Sequence, residues 1–158
     1  MQEQPRILGL DIGDRRIGLA ISGPFGTPFA MTAQPLLTLV RSSLRHDLKS
    51  IGRVLRKHSI VEIVAGNPLY MSGDLSPQAQ KAQAFAEAVR AEFHLPLHLW
   101  DERLTTTEAH RQLDTLGHEK LGRKSIIDQV AAVLILQAFL DHRRLAASEP
   151  PSEPSKSL

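Results

Sequence analysis

Cysteine is absent from the 158-residue sequence, so disulfides and thiolate metal sites are excluded and any metal must be held by oxygen or imidazole. No stretch approaches the roughly 20 apolar residues of a membrane span, and the opening MQEQPRILGLD lacks a basic segment followed by an apolar one. A cytoplasmic protein with no membrane partner is the expectation. Nor is there a large net charge. The formal balance is only +2 although the sequence pI is about 9.2, so the distribution of charge carries more information than its sum. Internal repeats are missing too, and at this length the chain has no room for two domains.

What is present is a hydrophobic content of 42%, enough for one core, and two basic clusters. The first includes Arg41, Arg45, Lys49, Arg53 and Arg56; the second is His118, Lys120, Arg123 and Lys124. A solvated helix face accounts for the first by itself, but two such clusters point toward a polyanionic partner. Residues 1–146 are expected to form the domain, and the proline- and serine-rich segment 147–158 a disordered tail.

The chain is organised around Ile7 to Ser22, ILGLDIGDRRIGLAIS. Two apolar runs flank the turn residues Gly-Asp-Arg-Arg, the pattern of a hairpin. Asp11 stands at the mouth of that turn beside a buried strand. An ionised carboxylate resists desolvation, so it needs a cap, a salt bridge or a metal ion, or else it closes the turn through its own hydrogen bonds. Gly9, Gly13 and Gly18 strip side chains from around it, which lets another backbone or a ligand come close.

Further along, Gly23 to Pro35 reads as a loop with room for one more strand. Ser42 or Ser43 can cap a helix whose buried stripe is Leu44, Leu48, Ile51 and Leu55, with the basic residues between them. Ile60 to Ala65 has the β-branched composition of an interior parallel strand, and Gly66-Asn67-Pro68 stops it. Ser76-Pro77 opens an amphipathic helix that reaches about His94. Leu97 to Trp100 is a strand that runs into Asp101-Glu102-Arg103, where open α/β sheets bind ligands. Thr105 and Glu108 have capping-box spacing for a helix that Gly117 ends. The final helix starts at Ser125 or Ile126 and places Asp128, Ala131, Ala132, Ile135 and Phe139 on one face. Asp128 is thus an acid on a packing stripe, although a helix cap at Ser125 would explain it equally well.

An α/β pattern of this kind can bring an acid from the first strand, one after a later strand and one from the last helix to a single edge of the sheet. Carboxylates gathered together repel and raise each other's pKa unless a cation neutralises them. Hard divalent ions, Mg²⁺ or Mn²⁺, do so with oxygen ligands and suit phosphodiester hydrolysis. With the basic clusters, this points to a nuclease.

The motifs LGLDIGDRRIGLAIS, VAGNPLYMSG, DERLTTTEA and SIIDQVAAVLILQAFLD, in this order over Ile7 to Asp141, resemble the YqgF/RuvX family. This family is the branch of the ribonuclease H-like fold related to Holliday junction resolvases. The resemblance implies a three-layer α/β domain, a central mixed β-sheet with helices on both faces. It implies a metal-dependent nuclease acting on four-way DNA junctions or on precursor rRNA of the small subunit (pre-16S), with roles in recombination and repair or in ribosome biogenesis. Symmetric junction cutting would call for a homodimer. The family's acidic constellation falls on Asp11, Glu102 and Asp128 as ligands of Mg²⁺ or Mn²⁺; Asp101 and Glu102 cannot be separated without the strand register. Arg16, Arg103, Arg123 and Lys124 are the expected nucleic-acid contacts, with salt bridges to neighbouring carboxylates as the structural alternative for Arg16 and Arg103. Where the family more often has Gly-Leu-Pro-Leu and Asn-Met-Asp-Gly, this chain has Asn67, Tyr70 and Ser72 at three positions, which bears on substrate preference.

Two other functions compete. An actin-like sugar kinase or ATPase also uses an Asp-x-Gly hairpin on phosphate, but needs a second domain and further glycine-rich loops. A non-catalytic RNA- or ribosome-associated factor could retain the fold, yet would have no need of intact acids.

Overall fold

The hairpin expected from the first motif is β1 (Arg6–Ile12) and β2 (Arg16–Ser22), paired antiparallel. Its turn is closed by the Gly13 N–H, which donates to the Arg16 carbonyl at 2.9 Å. The structure, a computed structural model, describes residues 4–104 and 124–148, of which 124–126 and 148 by backbone alone. β3 (Ala33–Val40) adds antiparallel outside β2, while β4 (Ile60–Asn67) and β5 (Leu97–Asp101) add in parallel on the other side of β1. The sheet order is therefore β3-β2-β1-β4-β5. Pro35 is tolerated within β3 because this is an edge strand with a register shift beside it.

Alternation along each strand divides the core into two layers. Leu8, Leu10 and Ile12 pack with Ile51 and Val54 of α1 (Leu44–Lys57) and with Phe85 and Val89 of α2 (Pro77–Phe93). Ile7, Ala20 and Val64 pack on the opposite face with Ile135, Leu136 and Leu140 of α3 (Lys124–Ser148). Helices thus cover both faces of a mixed sheet, as expected. Strands buried on both faces read as continuous apolar runs, which is the pattern of β1, β2 and β4.

Ser43 caps α1, its hydroxyl accepting from the His46 N–H, and Ser76 caps α2 ahead of Pro77. The expected stripe of α1 needs one correction. Leu44 is half-exposed and the buried residue of the first turn is Asp47. The reason is local: the Asp47 carboxylate accepts from the Ser42 N–H at 3.0 Å and from Arg41 Nε at 3.3 Å, so it ties the end of β3 to the helix start. α3 runs to Ser148, so the first two residues of the expected tail are helical. The remainder of that tail, and the helix expected between Thr105 and Gly117, lie outside the described residues. No helix among the described residues is long and apolar enough to cross a membrane.

Candidate active site

Three glycines on neighbouring strands let α3 settle onto the sheet. A Cβ on Gly9 would lie 2.8 Å from Leu136 Cβ, one on Gly18 would lie 2.0 Å from the Asp128 carbonyl oxygen, and one on Gly66 would lie 2.6 Å from Ile135 Cδ1. Gly18 is the ladder partner of Asp11. The close approach at Gly18 therefore brings the Asp128 segment down beside Asp11, on the face where alternation also points Asp11.

The same logic separates the two acids after β5. His98 and Trp100 both pack against the Phe139 ring of α3, Trp100 edge-on, so even-numbered residues of this strand face α3. Glu102, at the start of a 3₁₀ turn over Glu102–Leu104, continues that face: its carboxyl carbon would lie 3.1 Å from a Cβ on Gly66. Asp101 turns the other way and accepts from Arg103 Nε at 2.9 Å, while Arg103 Nη1 donates to the Met71 carbonyl at 3.1 Å.

The electrostatics follow from this packing. Burial, and then the charges of Glu102 and Asp128, push the Asp11 carboxyl up to about 7. Glu102 is pushed up to about 7 by burial and by the charge of Asp101. Neither carboxylate has a hydrogen bond or ion pair among the described residues. Asp101 goes the opposite way, held below the usual carboxylate range by its hydrogen bonds from Arg103. Asp128 is different again, since Arg16 Nε donates to its Oδ2 at 2.7 Å.

These positions dispose of two simpler roles. Asp11 sits within the ladder opposite Gly18, and the turn is closed without it. Asp128 is the fifth residue of α3, beyond the first turn, so Ser125 and Asp128 do not form a capping box. Of the expected phosphate contacts, Arg16 and Arg103 are engaged by Asp128 and Asp101, the salt-bridge alternative. Lys124 is the first residue of α3, and Arg123 lies outside the described residues.

A hard divalent cation fits this donor set, which is all oxygen and includes two half-buried carboxylates with no partner among the described residues to offset their charge. Among the described residues, no group of three or more His, Cys, Asp or Glu side chains is already drawn together around one point. Arg16 holds Asp128, so closing the trio onto an ion requires that pair to loosen.

Two features of the site were not read from the sequence. The loop after β4 is folded on itself, with the Tyr70 N–H donating to the Asp74 carbonyl, the Gly73 N–H to the Tyr70 carbonyl, and Gly73 at φ +92°. It presents Tyr70 and Met71 to solvent, Met71 at 86% exposure, next to Arg103. Apolar residues in a polar loop at a strand's C-terminal edge were the available signal. Behind the hairpin turn, Arg41 Nη1 donates to the Gly13 carbonyl at 2.9 Å while its guanidinium lies 4.7 Å over Phe85. Nothing in the sequence pairs Arg41 with a residue so distant.

A family model described as RuvX, Holliday junction resolvase, matches residues 5–142. A Koribacter versatilis protein named "Putative pre-16S rRNA nuclease" is 47% identical over 145 residues, 92% of each chain. A Thermoanaerobacter pseudethanolicus protein of the same name is 44% identical over 140 residues, 88% of this chain and 98% of its own. Among solved structures, RuvC of T. thermophilus in complex with a Holliday junction substrate aligns with a TM-score of 0.58 at 15% identity, covering 93% of this chain and 99% of that one. The fowlpox virus resolvase in complex with Holliday junction DNA aligns at 0.53 and 12% identity, covering 87% and 98%. At such identities the solved structures speak for the fold, a ribonuclease H-like one. The match along nearly the whole domain speaks for kinship, and the chain belongs to the RuvX family of nucleases.

Proposed function

We propose that the chain hydrolyses phosphodiester bonds in structured nucleic acid with Mg²⁺ or Mn²⁺ held by Asp11, Glu102 and Asp128. The observation that carries this reading is the pair of half-buried carboxylates on the α3 face, without a partner among the described residues and both raised in pKa, an arrangement that a cation would offset. A bound divalent cation would supply Lewis-acid activation of water and of the scissile phosphate. The chain's own contribution is positional. Asp11 is fixed in the ladder, Glu102 is lodged against Gly66, and the close approach at Gly18 sets the Asp128 backbone beside Asp11. Arg16, Arg103, Arg123 and Lys124 are assigned to the substrate backbone, and Arg16 can turn from Asp128 to a phosphate once a cation takes over that carboxylate's charge. Tyr70 and Met71 offer a surface for an unpaired base beside the cleft.

The precursor of 16S rRNA is the substrate favoured by the names of the relatives at 39–47% identity. The four-way junction is the second reading, favoured by the resolvase description of the family model; it requires a homodimer to cut two strands symmetrically. Both readings place the protein in the cytoplasm. The test is a side-by-side assay of end-labelled precursor rRNA and a synthetic junction, with Mg²⁺, Mn²⁺ or chelator. Metal-dependent cutting of one substrate that Asp11→Asn abolishes is the expected result. Equal cutting in chelator would overturn the metal assignment.

A further inference from the structure

We infer that the outer face of α1 is a second nucleic-acid surface, one that grips the phosphodiester backbone of the substrate away from the scissile bond. The inference rests on the nuclease reading for the identity of the polyanion. Arg45, Lys49 and Arg53 recur at four-residue steps and Arg56 follows on the same side of the helix, and all four are exposed. They line one groove with Leu44, Leu48 and Phe93. Its floor exists because Gly52 has no side chain: a Cβ there would lie 3.0 Å from the Phe93 ring.

Charge pairing separates this row from most of the described cations, although Arg6, Arg15 and Lys57 also lack an ion pair among the described residues. Arg16, Arg41, Arg103 and Arg143 each face a carboxylate, as do the more exposed Lys81, Arg90 and Arg144. None of the four row residues has an ion pair among the described residues, and Glu92 is the sole acid lining the groove. Like charges at four-residue spacing on a helix repel and weaken it, so a row without acids costs the fold a little in the free protein. A polyanion laid along it reverses that cost. From Arg45 to Arg56 the row is about 16 Å long, suited to several successive phosphates, with the apolar floor available to sugar edges.

The position is informative. α1 covers the sheet face opposite α3, so the row and the carboxylates lie in different layers. Nucleic acid on α1 is therefore a different segment from the one being cut, which is what a folded substrate with more than one arm provides. A short linear substrate cannot occupy both surfaces at once.

The test compares the wild type with the full chain carrying Arg45→Gln, Lys49→Gln, Arg53→Gln and Arg56→Gln together, since Gln keeps helix propensity. Binding to a fluorescein-labelled four-way DNA junction and to a labelled RNA stem-loop with a single-stranded extension is followed by anisotropy between about 50 and 200 mM salt, where four neutralised phosphate contacts should flatten the log K against log salt slope by about 3. We expect affinity at least tenfold weaker at low salt, an unchanged cleavage rate at saturating substrate, and an unchanged helical circular dichroism signal. A 10-nucleotide single strand, on the order of a single-strand site size, should lose less affinity than the folded probes do, because it cannot occupy α1 and the carboxylate edge together. Unchanged affinity and slope for both folded probes would overturn the inference and leave α1 to an acidic protein partner. Loss of cleavage at saturation with binding intact would overturn it as well. Should the wild type cut neither folded probe in Mg²⁺ or Mn²⁺ while the α1 variant still loses the salt slope, the nuclease reading falls and the α1 surface stands.

Discussion

Asp101 and Glu102 are chain neighbours with opposite environments, and the difference between them is a test of the site one residue wide. Asp101 is partnered by Arg103 and held below its ordinary pKa, whereas Glu102 is lodged against Gly66, without a partner among the described residues and pushed up to about 7. Glu102→Gln should lower the cleavage rate at saturating substrate by at least about a hundredfold, roughly 3 kcal/mol of transition-state stabilisation. Asp101→Asn should cost less than about tenfold, since it removes only an ion pair at the cleft rim. Comparable losses from the two would show that the β5 register is not what assigns the roles. The sequence narrowed the choice to these two residues and stopped there, because a strand's alternation becomes useful only once one of its residues is anchored. Trp100 and His98 against Phe139 provide that anchor, through contacts across some 40 residues of chain.

At the scale of elements, the site depends on how closely α3 lies on the β1–β2 hairpin. Gly18→Ala would drive a Cβ to 2.0 Å from the Asp128 carbonyl, a backbone atom that cannot rotate away. The helix must then shift, at a cost of about 1–3 kcal/mol for overpacking, and cleavage should fall with it. Gly26→Ala is the control: its Cβ meets nothing within 4 Å, but φ is +81°, so it should cost about 1 kcal/mol of stability and leave cleavage alone. The opposite outcome, with Gly18→Ala fully active, would mean the close approach does not position Asp128. Asp47 tests the support behind the hairpin. Asp47→Ala removes a buried carboxylate that accepts from Arg41 and the Ser42 N–H, both of which can turn to solvent, so urea unfolding should report a loss of about 2 kcal/mol. A loss under about 0.5 kcal/mol, the level of an ordinary surface substitution, would show the network to be dispensable. The helices themselves were legible from apolar spacing and from Ser43 and Ser76, since caps and periodicity are local. Asp47 was not, because an acid between basic residues looks solvated until β3 is known to end beside it.

For the whole molecule, the site is a liability that should be visible in stability. The order of motifs was enough to indicate the layers and the strand–helix alternation, because β1, β4 and α3 each carry their own apolar pattern. What no pattern could give was the energetic consequence of desolvating Asp11 and Glu102 within reach of other acids. Asp11 and Glu102 ionise near 4 when unfolded and near 7 when folded. Below pH 4 both states hold the protons and the acids do not affect stability. Between about pH 4 and 7 the unfolded chain releases protons that the folded chain retains, so folding loses stability as pH rises. Glu62 and Asp101, held below their ordinary values, act in the other direction but only at pH values below this window. The metal-free protein should therefore melt at a lower temperature at pH 7.5 than at pH 5.5, by an amount on the order of 2 kcal/mol, roughly 5 °C for a chain of this size. Millimolar Mg²⁺ should recover much of the loss at pH 7.5 and little at pH 5.5, because only ionised carboxylates bind it. Asp11→Asn should flatten the pH profile, melt higher than wild type at pH 7.5 in chelator, and gain little from Mg²⁺. Thermal melts in chelator and in Mg²⁺ at the two pH values decide the matter. A wild-type midpoint that stays level or climbs from pH 5.5 to 7.5 in chelator would mean that Asp11 and Glu102 are not the strained pair the packing implies.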